Sequence, residues 1–308
     1  TEAADGLCAN QDIPQGPKIA LCDIPEGGEI RRYGVVLGYA LHAIQKGDWI
    51  NEHMLRLPEL PGLNEMKFAT NLVTDLPEAP AKTFEGYRNP GGGYAGTRNI
   101  LGISTTVQCV TGVLNAAVEK MKKELLPRYP NVDDIVPINH AYGCGVAINA
   151  PEAKVPIRAL RNLVRHPNFG GEVMAISLGC EKLTVEMLLD GGDVKPENVI
   201  VLQEKNGFQD IMDSMMRMAD EKLRRLNERR RETLPLSDLC IGMQCGGSDA
   251  FSGVTANPSA GYAADLLVRA GATVLFSEVT EVRDGVHLLA ERCVDGKVGK
   301  KLADEMRW

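Results

Sequence analysis

Four cysteines stand where a fold could place chemistry. Cys109, Cys144, Cys180 and Cys245 each follow an apolar stretch that reads as a buried strand, at 99–108, 135–142, 173–179 and 239–244. Three of them sit beside glycine, in Gly143-Cys144-Gly145, Gly179-Cys180 and Cys245-Gly246-Gly247. In an open α/β sheet the strand ends of one polarity share an edge, and ligands bind there. The four thiols are therefore expected to meet at one sheet edge. Thiolates are soft ligands and strong nucleophiles, so such an edge suits a metal site, redox chemistry or an electron-rich pocket. No Cys-x-x-Cys pair occurs, so zinc-finger and ferredoxin spacings are absent.

Other reactive residues fall close to these thiols. His140 lies four residues before Cys144 and is a candidate base or metal ligand, although a lone histidine is more often structural. Cys180-Glu181-Lys182 gives a soft, a hard and a cationic group in succession. The segment 244–258 is rich in glycine and hydroxyls and includes Ser248 and Asp249. Its backbone N–H groups suit a carboxylate or phosphate, and the alternative is a tight structural turn. Glu278, Glu281, Arg283 and Asp284 follow the last strand and read equally as ligands, bases or a solvated rim. Arg88 and Arg98 flank the Gly91-Gly92-Gly93 loop and could grip carboxylates in bidentate fashion. His166 precedes a strand, which puts it at the opposite sheet edge in a structural role. His42, His53 and His287 carry no supporting context.

The elements that must hold these groups begin at Phe84, where strand, loop and helix start to alternate. Helices are expected over 111–126, 151–164, 209–232, 259–270 and 298–306, and further strands over 199–202 and 273–277. Met212, Met215, Met216, Ala219, Leu223 and Leu226 form one face of the longest helix and read as core. Alternation of this kind implies an α/β fold, a mainly parallel sheet with helices on both faces. Residues 1–57 hold short apolar pieces between Pro-Gly turns and read as a small β-rich module. Residues 58–83 contain four prolines and read as a linker, leaving 84–308 as the large domain.

Composition narrows the partners. Apolar content of 44% is ordinary for a globular chain. A net charge of −7 argues against a nucleic-acid footprint, and the one basic run, 224–231, is interleaved with acids. No apolar run approaches a membrane span and no signal peptide is legible, so a cytoplasmic enzyme with reduced thiols is expected.

Several long segments resemble the galactarate/altronate dehydratase family. They are 84–89, 139–151, 167–173, 179–182, 243–258 and 277–284, and the resemblance runs over nearly the whole chain. The first 57 residues resemble the family's small N-terminal module, of the SAF type. Pro17 stands where the family commonly has histidine. The resemblance implies a hydro-lyase acting on a small-molecule sugar diacid, with galactarate losing water to give 5-dehydro-4-deoxy-D-glucarate. It implies a divalent metal, Fe2+ in the main, with Mn2+ or Mg2+ open, and a homo-oligomer is expected. It further suggests that the small module lacks its start and that the family's C-terminal domain is absent.

The site assignments that follow are Cys144, Cys180 and Cys245 for metal, and His140, Glu181, Asp249 and Glu278 for acid–base work. Arg88, Arg98, Lys182, Ser248 and Arg283 are assigned to substrate carboxylates. Alternatives from other classes stay open. They are a sister lyase on altronate or a sulfonated hydroxy acid, an iron–sulfur or redox protein, and a non-catalytic domain.

Overall fold

The structure is a computed structural model describing residues 2–3, 6–14, 16–77, 79, 81–145, 147–189, 193–247, 249, 251–278, 281–282 and 285–307. The chain divides into two compact units, one of residues 1–79 with 241–308 and one of residues 80–240.

In the first unit the small module forms three small sheets among the described residues. β1 (Glu2–Ala3) pairs antiparallel with β2 (Leu7–Cys8), and β3 (Lys18–Ile19) pairs with β6 (Trp49–Ile50). β4 (Glu29–Arg32), β5 (Val35–Ala40) and β7 (Leu55–Arg56) form a three-stranded antiparallel sheet. Ala20, Ile30, Ala40, Ile44 and Ile50 make its core. The β4–β5 turn is tight because Gly34 adopts φ +79, which a side chain would resist.

In the second unit β8 (Thr83–Gly86) leads into β9 (Ile100–Thr105). Then come α1 (Thr111–Glu124), β10 (Asp134–Ile138), α2 (Lys154–Val164) and β11 (Ala175–Ser177). The unit continues with α3 (Val185–Leu188), β12 (Val199–Val201), α4 (Phe208–Asn227) and β13 (Glu232–Pro235). Strands β10-β9-β11-β12 form a parallel four-stranded sheet, as the alternating pattern implies.

Helices cover both faces of that sheet. Alternate residues point to opposite sides of a strand. Ile176 and Ile200 accordingly join the core with Leu114, Met121, Met215 and Leu223 of α1 and α4. Ala175 and Val199 pack instead with Leu160 and Val164 of α2 and Leu188 of α3. The Met stripe is buried core, with Met215 and Leu223 fully covered.

Two elements depart from the sequence reading. The longest helix ends at Asn227 rather than Glu232, and residues 232–235 form a strand paired antiparallel with β8. The reason lies in its last carbonyls, which find partners outside the helix. Asn131 Nδ2 donates to Asn227 O at 2.8 Å, and Asn99 Nδ2 donates to Leu226 O at 2.8 Å. Capping of this kind ends a helix that periodicity alone would extend. The proline-containing stretch also does more than connect, because Met66 is buried in a small core of the first unit. Its partners are Val286 and Ala290 of α6 (Val286–Ala290) and Ala303 of α7 (Gly296–Glu305).

The first unit also holds α5 (Ala256–Arg269) and the pair β14 (Cys240–Met243) and β15 (Thr273–Phe276). The strand before Cys245 therefore belongs to a different sheet from those before Cys109, Cys144 and Cys180. The expectation of four thiols at one sheet edge is corrected to three.

Candidate functional site

The carboxyl ends of β10, β9 and β11 lie side by side, and each is followed within a few residues by a thiol. Backbone hydrogen bonds tie the three connections together. Gln108 N donates to Tyr142 O at 3.3 Å, and Lys182 N donates to Gly143 O at 2.8 Å. Cys109 is thereby joined to the Cys144 loop, and that loop to the one carrying Cys180. Gly143 makes the approach possible. It adopts φ +105, and a Cβ there would lie 2.1 Å from Thr106 O. All three thiols are exposed. Partial desolvation pushes the Cys109 thiol up, followed by the Cys144 thiol through charge and hydrogen bonding, with a further push from Cys180. Gln203, just past β12, donates from Nε2 to Cys180 Sγ at 3.5 Å.

Glu181 fastens this edge from beneath. Its carboxylate accepts from Ser177 Oγ at 2.6 Å, Gly179 N at 2.6 Å, Leu178 N at 3.1 Å and Thr106 Oγ1. Burial pushes its acidity toward the neutral form, but the hydrogen bonds from Ser177, Thr106 and the backbone outweigh it. The carboxyl is held below its ordinary value. His140 is fixed in a similar way. Its Nε2 donates to Thr105 O at 2.7 Å while Nδ1 accepts from Tyr142 N at 3.1 Å. That pair of bonds fits the tautomer that carries its proton at Nε2. Lys182 is exposed on the same connection as Cys180.

The first unit carries a second group. Cys245 N donates to Glu278 Oε2 at 3.1 Å, joining the connections that follow β14 and β15. Asn257 Nδ2 lies 3.7 Å from Cys245 Sγ. Glu278 adopts φ +63, a conformation side chains other than glycine rarely take. Asp249 closes a local turn, accepting from Ser252 N at 2.7 Å. Ser248 and Arg283 lie outside the described residues.

Arg88 and Arg98 stand apart from the thiols. Arg98 directly precedes Asn99, so it lies at the amino-terminal edge of the parallel sheet, and its guanidinium is 3.9 Å from Asp133. Arg88 pairs with Glu232 at 2.9 Å on the β8–β13 ribbon. The spacing Gly91-x-Gly93-x-x-Gly96 formally fits a dinucleotide fingerprint, but it leads into a strand rather than a helix. His166 is at the amino-terminal edge as expected. It accepts from Asn168 N at Nδ1 and packs on Phe169, and burial pushes its pKa down.

Thr105, Thr106, Ser177 and Gln203 are site residues the sequence reading passed over. A legible signal exists for three of them, because Thr105, Thr106 and Ser177 are small hydroxyl residues at the ends of otherwise apolar strands. All three are buried. A buried polar group needs a partner, and here the partners are the neighbouring strands and Glu181.

Three family models match the chain. "Altronate/galactarate dehydratase SAF domain" covers 1–58, "D-galactarate dehydratase/Altronate hydrolase, second domain" covers 86–227, and "D-galactarate/Altronate dehydratase, C-terminal" covers 236–308. The chain belongs to the galactarate/altronate dehydratase family. The match over 236–308 overturns the expectation that the C-terminal domain is absent and that 84–308 is all second domain. The break between the second and third matches falls beside the structural division at 240.

Among relatives in this family, the galactarate dehydratase (L-threo-forming) of Escherichia coli K12 is 55% identical over 100% of this chain and 60% of its own length. The altronate dehydratase of Bacillus subtilis is 33% identical over 95% of this chain and 58% of its own. The (2R)-sulfolactate sulfo-lyase subunit beta of Chromohalobacter salexigens is 30% identical over 73% of this chain and 54% of its own. The chain thus spans 54–60% of the length of these relatives.

The single divalent ion implied by the family resemblance does not fit the residues as placed. Among the described residues, no group of three His, Cys, Asp or Glu side chains is arranged to hold one metal ion. No described helix is long and apolar enough to cross a membrane.

Proposed function

We propose that the protein is a hydro-lyase that removes water from galactarate to give 5-dehydro-4-deoxy-D-glucarate. The observation that carries the choice of substrate is the 55% identity to a galactarate dehydratase, against 33% to altronate dehydratases. The chemistry asks for three things. A proton leaves the carbon α to a carboxylate, a hydroxyl leaves the β carbon, and the enol formed takes a solvent proton to become a ketone. Water is the only species lost.

The residues divide among these tasks. Lys182 supplies a cation at the thiol edge for a substrate carboxylate, which favours the charge that builds up on it as the α proton leaves. Glu181 and His140 have their polar atoms engaged by fixed neighbours and act by holding the three strand ends in register. No step is assigned to a single divalent ion.

The test is product analysis in D2O, run on this chain and on the whole gene product. Galactarate is expected to lose one water by mass and to gain one solvent deuterium at the deoxy carbon. Recovery of unchanged galactarate from the whole gene product, or loss of water without deuterium, would contradict the proposal.

A further inference from the structure

We infer that Cys109, Cys144 and Cys180 together hold an iron–sulfur cluster rather than a single metal ion. The three thiols come from the carboxyl ends of three adjacent parallel strands. Their connections are stitched by the Gln108–Tyr142 and Lys182–Gly143 backbone bonds. Each sulfur is exposed, so a preformed cluster can reach it.

Among the described residues no three His, Cys, Asp or Glu side chains surround one ion, and that separates the two kinds of centre. A single ion needs its ligands within one tight shell. A cluster takes each thiolate on a different iron and so accepts sulfurs that face a common space without sharing a point. The glycines allow the tight turns that bring the thiol-bearing loops together. Gly143 at φ +105 and Gly145 at φ +70 flank Cys144, and Gly179 at φ +115 precedes Cys180. Binding releases the thiol protons. Three thiolates on a cluster of about four irons leave one iron without a protein ligand. That position takes an oxygen ligand, such as a hydroxyl or carboxylate.

This assignment replaces Cys245 with Cys109 in the metal set. It stands independently of the substrate, because its readout is the cluster itself.

The chain is purified without oxygen and reconstituted with ferrous iron and sulfide, and bound iron, bound sulfide and the visible spectrum are measured. The expected result is about four irons and four sulfides per chain, with a broad visible band that bleaches on reduction. Cys109→Ser, Cys144→Ser and Cys180→Ser should each lose most of the iron and the band. Cys22→Ser and Cys293→Ser should retain both, with circular dichroism unchanged throughout. One iron per chain without sulfide would overturn the inference. So would equal loading of a variant lacking all three thiols.

Discussion

At Glu181 a single carboxylate gathers donors from the ends of two strands, and the consequence is a pH dependence with a definite sign. Its pKa is held below the ordinary value of 4.5, so it contributes stability above that pH and loses it as the pH falls through the lowered value. Glu181→Gln removes the charge and weakens hydrogen bonds to Ser177, Gly179 and Leu178. The expected cost is about 1–3 kcal/mol at pH 7. Melting curves of the two proteins should differ most near neutrality and converge well below pH 4.5. A gap that is constant with pH would contradict the account.

Glycine and the helices decide what the elements can do. Gly143→Ala would place a methyl group against the Thr106 carbonyl in a backbone conformation alanine resists. The Cys144 loop should then move off the sheet edge, with loss of reconstituted iron in a protein that keeps its helical circular dichroism. Met215→Ala, at a fully buried position on α4, should cost about 2–5 kcal/mol in denaturant unfolding and leave the thiols alone.

Much of this level is legible from sequence. The alternation of apolar strands and amphipathic helices marks β9, β10, β11 and β12 and implies that they run parallel. The end of α4 is not legible, because it depends on Asn99 and Asn131 arriving from distant segments to cap its carbonyls. Nor is the packing of Met66, whose partners lie more than two hundred residues away in α6 and α7.

Over the whole chain, the sequence places thiols at strand ends but cannot say which strands share a sheet. Cys109 has the weakest local context, yet the topology seats it between Cys144 and Cys180. Cys245 has a stronger motif but follows a strand paired with β15. Arg98 has the right chemistry for a carboxylate and lies at the wrong end of the parallel sheet. Motifs record which residues matter, and only strand order records which of them meet.

The substrate is likewise a property of the whole protein. Galactarate has a carboxylate at each end and altronate at only one, so a site built for the first is left with an unmatched cation by the second. The direct measurement is kcat/KM for galactarate and for altronate on the same preparation of the whole gene product. The account predicts a preference for galactarate of at least about tenfold, or ~1.4 kcal/mol in transition-state binding. Equal values, or a preference for altronate, would contradict it.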